Sequence, residues 1–314
     1  MERDNDSTFS GFILLGFSNR PQLETALFGV ILVIYFLSIL GNGTIIFLSV
    51  VDPHLHTQMY FFLSNLSFMD LCVTTCTVPQ TLVNLNGKDK TITYGGCVTQ
   101  LLIDLGLGGM ECVLLTVMAY DRYAAVCCPL HYMVIMHPQL CLQLVITAWI
   151  TGFGNSVVHT ALTMTLPFCG RNQLDHFFCE VPAIMKLACT DISINKAEVF
   201  AVSVFFLVVP LSLILVSYGH ITLSILKIKS AQGRRKAFGT CSSHLLVVII
   251  FFSALISMYL QSPSSYSQDM NKSISFFYTL VTPLLNPLIY TLRNKEVKDA
   301  LRRIFRRIMY SRKS

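Results

Sequence analysis

The sequence predicts an all-α membrane protein: a bundle of seven transmembrane helices followed by a short amphipathic eighth helix. Composition is the first observation. Of 314 residues, 53% are hydrophobic and only 13% are charged. A soluble domain carries roughly 25% charged residues, so this chain cannot build a water-soluble surface. The second observation is seven apolar stretches, at 25–50, 58–84, 96–127, 139–166, 197–226, 238–261 and 273–292. Each reaches the ~20 residues a helix needs to cross hydrocarbon. The third lies after Asn294. Val297, Leu301, Ile304, Phe305 and Ile308 share one helical face, and Arg302, Arg303, Arg306 and Arg307 line the other. Such a helix lies on a membrane surface.

These features divide the chain into an N-terminal segment (1–24), a membrane domain (25–292) and a surface helix with its tail (293–314). Residues 1–10 are polar and acidic, so no cleavable leader is expected and the first apolar stretch should act as an uncleaved anchor. Lys227, Lys229, Arg234, Arg235 and Lys236 follow the fifth stretch, and a run of arginines and lysines follows the seventh. Positive flanks stay cytoplasmic, which places the N-terminus outside the cell and the tail inside. The net charge of +6 then belongs to a face against anionic lipid, and no nucleic-acid partner is expected. Asn5, in the sequon Asn5-Asp6-Ser7, is the glycan acceptor this topology allows. The sequons at Asn42 and Asn65 fall inside helices, and the one at Asn271 is outside but hugs the membrane.

Cys97, Cys169, Cys179 and Cys189 fall on the outer side. Four cysteines in an oxidising compartment predict two bridges, with three connectivities open. No cysteine or histidine grouping has zinc-ligand spacing. Within the membrane, Asn42, Asp70, Glu111 and Asn286 are polar groups on four different helices. Each is costly in hydrocarbon, so they should face one another across a wet interior. Asp70 and Glu111 would then share a proton or a cation. At the inner end of the third stretch Asp121, Arg122 and Tyr123 stand side by side. A guanidinium there needs a partner, and Asp121 can hold it in one state and release it in another. Pro287 breaks the seventh helix after Asn286 and leaves Tyr290 free to swing.

These runs carry a resemblance. Gly41-Asn42 ends the first stretch, and LHTQMYFFLSNLSFMD runs from Leu55 to Asp70. MAYDRYAAVC spans Met118–Cys127 and is followed by PLHY at Pro129–Tyr132. Ser217-Tyr218 closes the fifth stretch, KAFGTCSSHL spans Lys236–Leu245, and PLLNPLIYTLRN spans Pro283–Asn294. In this order and on these helices, they identify the chain as a member of the odorant receptors, a branch of the rhodopsin-like seven-helix receptors. The resemblance covers nearly the whole chain. Gln58 stands where the family usually has proline, and Phe251-Phe252 where its aromatic pair usually ends in tyrosine.

The resemblance implies bridges Cys97–Cys179 and Cys169–Cys189. It implies a small, volatile ligand bound between helices three, five, six and seven, beneath the long outer loop. The matching lining positions on helix three are Asp104, Leu105, Gly108 and Gly109. Those on helix five are Val202, Ser203 and Phe206. Phe252, Leu255, Ile256 and Tyr259 match on helix six, and Thr279 on helix seven. Gly108 and Gly109 either leave room for a ligand or let helices pack closely. Asp104 resembles the aspartate with which amine receptors hold an ammonium group. It either meets a cationic or strongly hydrogen-bond-donating ligand, or stays neutral or pairs with an outer-loop cation such as Lys186. The otherwise apolar lining favours the second. Tyr218 and Tyr290 are implied to meet Arg122 in the active state, and a sodium ion to sit near Asp70 and Glu111, with no other cofactor. The implied partner is a stimulatory heterotrimeric G protein that raises cyclic AMP, at the plasma membrane.

Other classes fit poorly. No G-x-S-x-G, H-E-x-x-H or phosphate loop occurs, so no enzyme is expected. No repeated halves mark a transporter. Within the receptor class, a non-olfactory receptor for a small amine is the alternative.

Overall fold

The structure is a computed structural model that describes residues 11–16, 21–87, 90–260, 268–293 and 295–311. Asn5 lies outside them. The seven apolar stretches are helices: α1 (Pro21–Val51), α2 (Gln58–Asn86), α3 (Tyr94–Cys127), α4 (Pro138–Met164), α5 (Ser193–Lys227), α6 (Ala231–Tyr259) and α7. The last of these is built from Gln268–Phe276, a wider-wound turn at Phe277–Val281, and Thr282–Arg293. All seven are long and apolar enough to cross a membrane. A separate helix, α8 (Lys295–Ser311), follows.

The apolar residues divide as a bilayer requires. Phe62, Leu66, Leu114, Leu115, Val247 and Phe251 are buried between helices. Val33, Phe36, Leu40 and Val50 of α1 and Leu215 and Val216 of α5 are exposed, which in water would be a liability and in lipid is the natural surface. Gln58 does not prevent a helix start: α2 begins there, after extended Thr57.

Pro287 shows how a helix defect is absorbed. Proline has no N–H, so the carbonyl four residues earlier, at Pro283, loses its helical partner. Asn42 of α1 donates its amide to that oxygen at 2.9 Å, and Ser38 its hydroxyl at 3.4 Å. Gly41 permits the approach, because a Cβ there would lie 2.9 Å from the Pro287 ring. The Asn42 amide nitrogen therefore serves the α7 backbone, a role the sequence did not suggest.

One element was absent from the all-helix reading. Gly11–Leu14 (β1) pairs antiparallel with Thr91–Thr93 (β2) and parallel with Gln173–Leu174 (β3). Phe12 and Leu14 point inward and are fully buried beside Cys97, Leu101, Leu174 and Cys179. This small sheet closes the end of the bundle where α2 and α3 are joined. The loop from α4 to α5 is tied there by Cys97–Cys179 and closed on itself by Cys169–Cys189.

At the opposite end α8 is clasped to the first inter-helix turn. Arg303 donates to Asp52 Oδ2 at 2.7 and 2.9 Å, and Tyr60 donates to Glu296 at 2.8 Å. Burial opposes ionisation of Asp52. The Arg303 guanidinium and the hydrogen bonds from His54 outweigh it and bring the carboxyl down to about 2. Val297 and Ala300 are buried in the main core. Arg303 is thus a structural clasp rather than part of a free basic face. The side chains of Phe305, Arg307 and Ile308 lie outside the described residues.

Candidate functional site

Beneath the small sheet lies a cavity of about 90 Å³, walled by α3, α4, α5, α6, α7 and the α4–α5 loop. It is smaller than the ~300–1,000 Å³ of drug-sized sites, so it suits a small molecule. Ten of the twelve residues matched to lining positions form its wall: Asp104, Leu105, Gly108, Gly109, Val202, Ser203, Phe206, Leu255, Tyr259 and Thr279. Phe252 and Ile256 do not. Phe252 is 2% exposed and packs edge-on against Phe251 inside the bundle, and Ile256 packs against the same core. The two glycines have different neighbours. A Cβ at Gly108 would lie 2.9 Å from the Tyr278 hydroxyl, and one at Gly109 would press on the Phe206 ring and on Gly152 of α4.

Sequence reasoning missed part of the wall. Asn155 and His159 come from α4, Phe178, Glu180 and Val181 from the loop, and Tyr278 from α7. The loop residues follow from the Cys97–Cys179 bond, which carries Glu180 to the upper turns of α3. Gln100 fixes the loop further by accepting the Cys179 N–H at 2.8 Å. Glu180 receives the Ser275 hydroxyl at 3.2 Å and lies 3.0 Å from His176. His159 lies 2.6 Å from Glu198. The α4 residues depend on a close helix contact that periodicity does not reveal: a Cβ at Gly152 would lie 2.4 Å from the Gly106 carbonyl oxygen.

Asp104 projects from α3 into this cavity. Its carboxylate accepts the Thr77 hydroxyl at 3.4 and 3.5 Å. Lys186 is exposed and does not reach it. The lysine that fastens the loop is Lys272 of α7, which pairs with Asp175 and donates to the Gly16 carbonyl at 2.9 Å. Among the described residues no lysine or arginine lines the cavity.

Deeper in the bundle Asn286 donates to both Asp70 oxygens, at 3.1 and 3.3 Å. Glu111, on the neighbouring α3, is 6% exposed. Among the described residues, Asn42 Oδ1, Glu111 Oε1, Asn286 Oδ1 and the Tyr290 hydroxyl are buried without a hydrogen-bond partner. Buried polar groups left this way call for an explanation.

At the α8 end, Arg122 is held by its neighbour. It pairs with Asp121 Oδ2, with Nε at 3.1 Å, and Tyr132 donates to Asp121 Oδ1 at 2.7 Å. Burial and the Asp121 carboxylate together push the Tyr132 phenol up from its ordinary value, which keeps it a proton donor. Tyr123 stacks near Tyr120 and meets the His220 ring edge-on. Tyr218 does not reach Arg122. Its hydroxyl lies 2.7 Å from His244 Nδ1 and donates to the Cys241 carbonyl at 3.2 Å, joining α5 to α6. Tyr290 does not hydrogen-bond Arg122 either. The meeting implied for an active state is therefore not made in this packing. Beside the latch, Leu130, Met133 and Val134 stand exposed, Leu130 at 93%.

A family model described as olfactory receptor matches residues 31–307. Olfactory receptor 2G6 from Homo sapiens is 60% identical over 302 residues, covering 96% of each chain. Olfactory receptor 2C3 from Homo sapiens is 61% identical over 302 residues, 96% of this chain and 94% of that one. Olfactory receptor 2B6 from Mus musculus is 57% identical over 308 residues, 98% of each.

Proposed function

The chain belongs to the olfactory receptor family, and from that premise we propose that a small odorant bound in the cavity drives a stimulatory heterotrimeric G protein and raises cyclic AMP. As a member of that family it is a multi-pass receptor of the plasma membrane, and not an enzyme. The observation that carries the proposal is the pairing of a mostly apolar cavity at one end of α3 with the Asp121–Arg122 latch at the other. Ligand that binds one helix packing more tightly shifts the population toward it. Release of Arg122 and outward movement of α6 then open a crevice at the α8 end. Leu130, Met133 and Val134 supply an apolar docking edge beside that crevice. The sheet end faces outside and α8 lies in the cytoplasm, as the basic flanks require.

A sodium ion at the buried polar cluster fits the same reading. Asp70, Glu111, Asn42 Oδ1 and Asn286 Oδ1 are oxygen donors, the set a hard cation prefers, and three of their oxygens have no other partner. The ion would supply positive charge between two carboxylates. In such a site Asp70 and Asn286 join α2 to α7 and steady the packing that holds Arg122.

The test is cyclic-AMP output from cells carrying the chain with an olfactory G protein, over a panel of neutral, acidic and amine odorants, with Asp104→Asn in parallel. A ligand-dependent rise is expected. An amine response lost in the variant makes Asp104 the ligand's counter-ion, and a neutral-odorant response retained in it makes Asp104 a bystander. Signalling through another G-protein class with none through the stimulatory one would overturn the proposal. Sodium is tested separately, by a rise in melting temperature with sodium over potassium that Asp70→Asn abolishes.

A further inference from the structure

We propose that ligands enter the cavity sideways from the bilayer, through a cleft between α4 and α5 gated by Phe206, and that the site therefore selects uncharged, membrane-soluble molecules. This rests on the cavity being the ligand site. A groove of about 370 Å³ opens on the lipid side of the bundle, lined by Thr151, Asn155, Ala201, Val202, Phe205 and Phe206. Three of these, Asn155, Val202 and Phe206, also wall the cavity. The groove and the cavity are separated by the thickness of those side chains.

On the water side the described residues form a fastened roof. Phe178, Cys179, Glu180 and Val181 cover the cavity. The roof is bonded to α3 through Cys97–Cys179 and tied to α7 through Ser275 and Lys272. Opening it would break contacts to two helices and to the sheet.

The bilayer side has a movable wall and a fixed one. α4 is fixed, because Gly152 lies against the α3 backbone and Ser156 donates to the Leu102 carbonyl at 2.7 Å. These contacts fall three residues before and one residue after Asn155. On α5 the wall sits in a widened turn, Val204–Val208, of the kind that recurs at functional sites. That turn sends Phe205 out to lipid and Phe206 inward, 60% and 7% exposed. The Phe206 ring lies over Gly109, where no side chain opposes its swing.

Asn155 fits the role of a waypoint. It lies nine residues before the end of α4, roughly 13 Å along the helix axis at 1.5 Å per residue. Among the described residues nothing hydrogen-bonds its side-chain amide. An amide at that depth is costly without a partner, and a passing carbonyl, ether or hydroxyl would satisfy it. Each methylene favours the bilayer over water about fourfold, so small apolar molecules are already concentrated where the groove opens.

The experiment uses receptor in native membranes and reads no signalling, so it stands apart from the G-protein proposal. Cys112 is a free thiol in the cavity wall, and Ser203→Cys places a second there. Both are treated with uncharged methyl methanethiosulfonate and with its trimethylammonium-ethyl analogue, and modification is followed by peptide mass spectrometry. The uncharged reagent should label both positions and the charged one neither. Ala201→Trp, which fills the groove from its lipid side, should slow labelling at least fivefold. Val209→Trp, equally lipid-facing on α5, should not, and Phe206→Ala should speed it. The proposal is overturned by an Ala201→Trp rate within twofold of the parent, by equal labelling with the charged reagent, or by no labelling at either position.

Discussion

Replacing Gly152 by alanine should loosen the α3–α4 contact that forms one side of the cavity. The new methyl carbon would lie 2.4 Å from the Gly106 carbonyl oxygen, where ordinary contact begins near 3.4 Å, and 2.8 Å from the Met110 nitrogen. Both obstacles are backbone, so no side chain can turn aside, and α4 must retreat by about 1 Å. That retreat lengthens the 2.7 Å bond from Ser156 to Leu102 O beyond hydrogen-bonding range, a loss of about 1 kcal/mol. Overpacking and the opened contact cost about 1–2 kcal/mol more. At about 1.5 °C per kcal/mol for a chain of this size, the melting temperature of the purified receptor should fall by roughly 3–5 °C. Gly154→Ala is the control: nothing lies within 4 Å of a Cβ there, and its melting temperature should match the parent. Ser156→Ala should account for about a third of the Gly152→Ala effect. A Gly152→Ala receptor that melts within a degree of the parent would refute the reasoning, because the backbone contact would then be too loose to set the helix spacing.

Three further outcomes follow from the other end of the bundle. Asp121→Asn removes the charge that holds Arg122 and should raise ligand-free cyclic-AMP output about tenfold, the population shift expected for about 1.4 kcal/mol, at equal surface expression. Leu130→Glu places a charge on the exposed edge beside the latch and should reduce maximal signalling several-fold while leaving odorant potency at the cavity within twofold. Asp52, brought from 3.8 down to about 2 when folded, contributes about 1 kcal/mol, since solvent screens its exposed partners His54 and Arg303. That contribution is fully present above about pH 4 and is lost as pH falls through 2. Asp52→Asn should thus destabilise the receptor at pH 7 and lose its difference from the parent near pH 2, as read by thermal unfolding.

The membrane helices were legible in the sequence because a bilayer imposes one requirement on every segment: the backbone must satisfy itself, and the outer face must be apolar. Length and composition alone therefore located all seven spans. The small sheet was not legible, since Gly11–Leu14 finds its partners some 80 and 160 residues away and four residues carry no pairing signal of their own. The residues that line the cavity, Asp104 and Gly108 of α3 among them, were reached through the resemblance rather than through helical period. Helices α5 and α7 are less regular. The widened turns at Val204–Val208 and Phe277–Val281 each carry an extra residue, and past them a 3.6-residue period points about 100° away from the true face. The α4 contribution, Asn155 and His159, needed knowledge of how near two backbones come at Gly152.

The same irregularities connect cavity to latch. A straight α7 would satisfy the Pro283 carbonyl within its own helix and leave Asn42 a buried polar group without purpose. Because Pro287 frees that carbonyl, α1 closes the gap from outside with Asn42 and Ser38. On the next turn Asn286 reaches across to Asp70 of α2. The stretch of α7 between Thr279 in the cavity wall and Tyr290 near the latch is therefore held by side chains from two other helices rather than by its own backbone ladder. Contacts of that kind are exchanged at lower cost than an intact helical turn is broken. A ligand that presses on Thr279 or Tyr278 meets the segment of the bundle where a second packing is cheapest to reach, and the unpartnered Tyr290 hydroxyl is the group such a packing would satisfy.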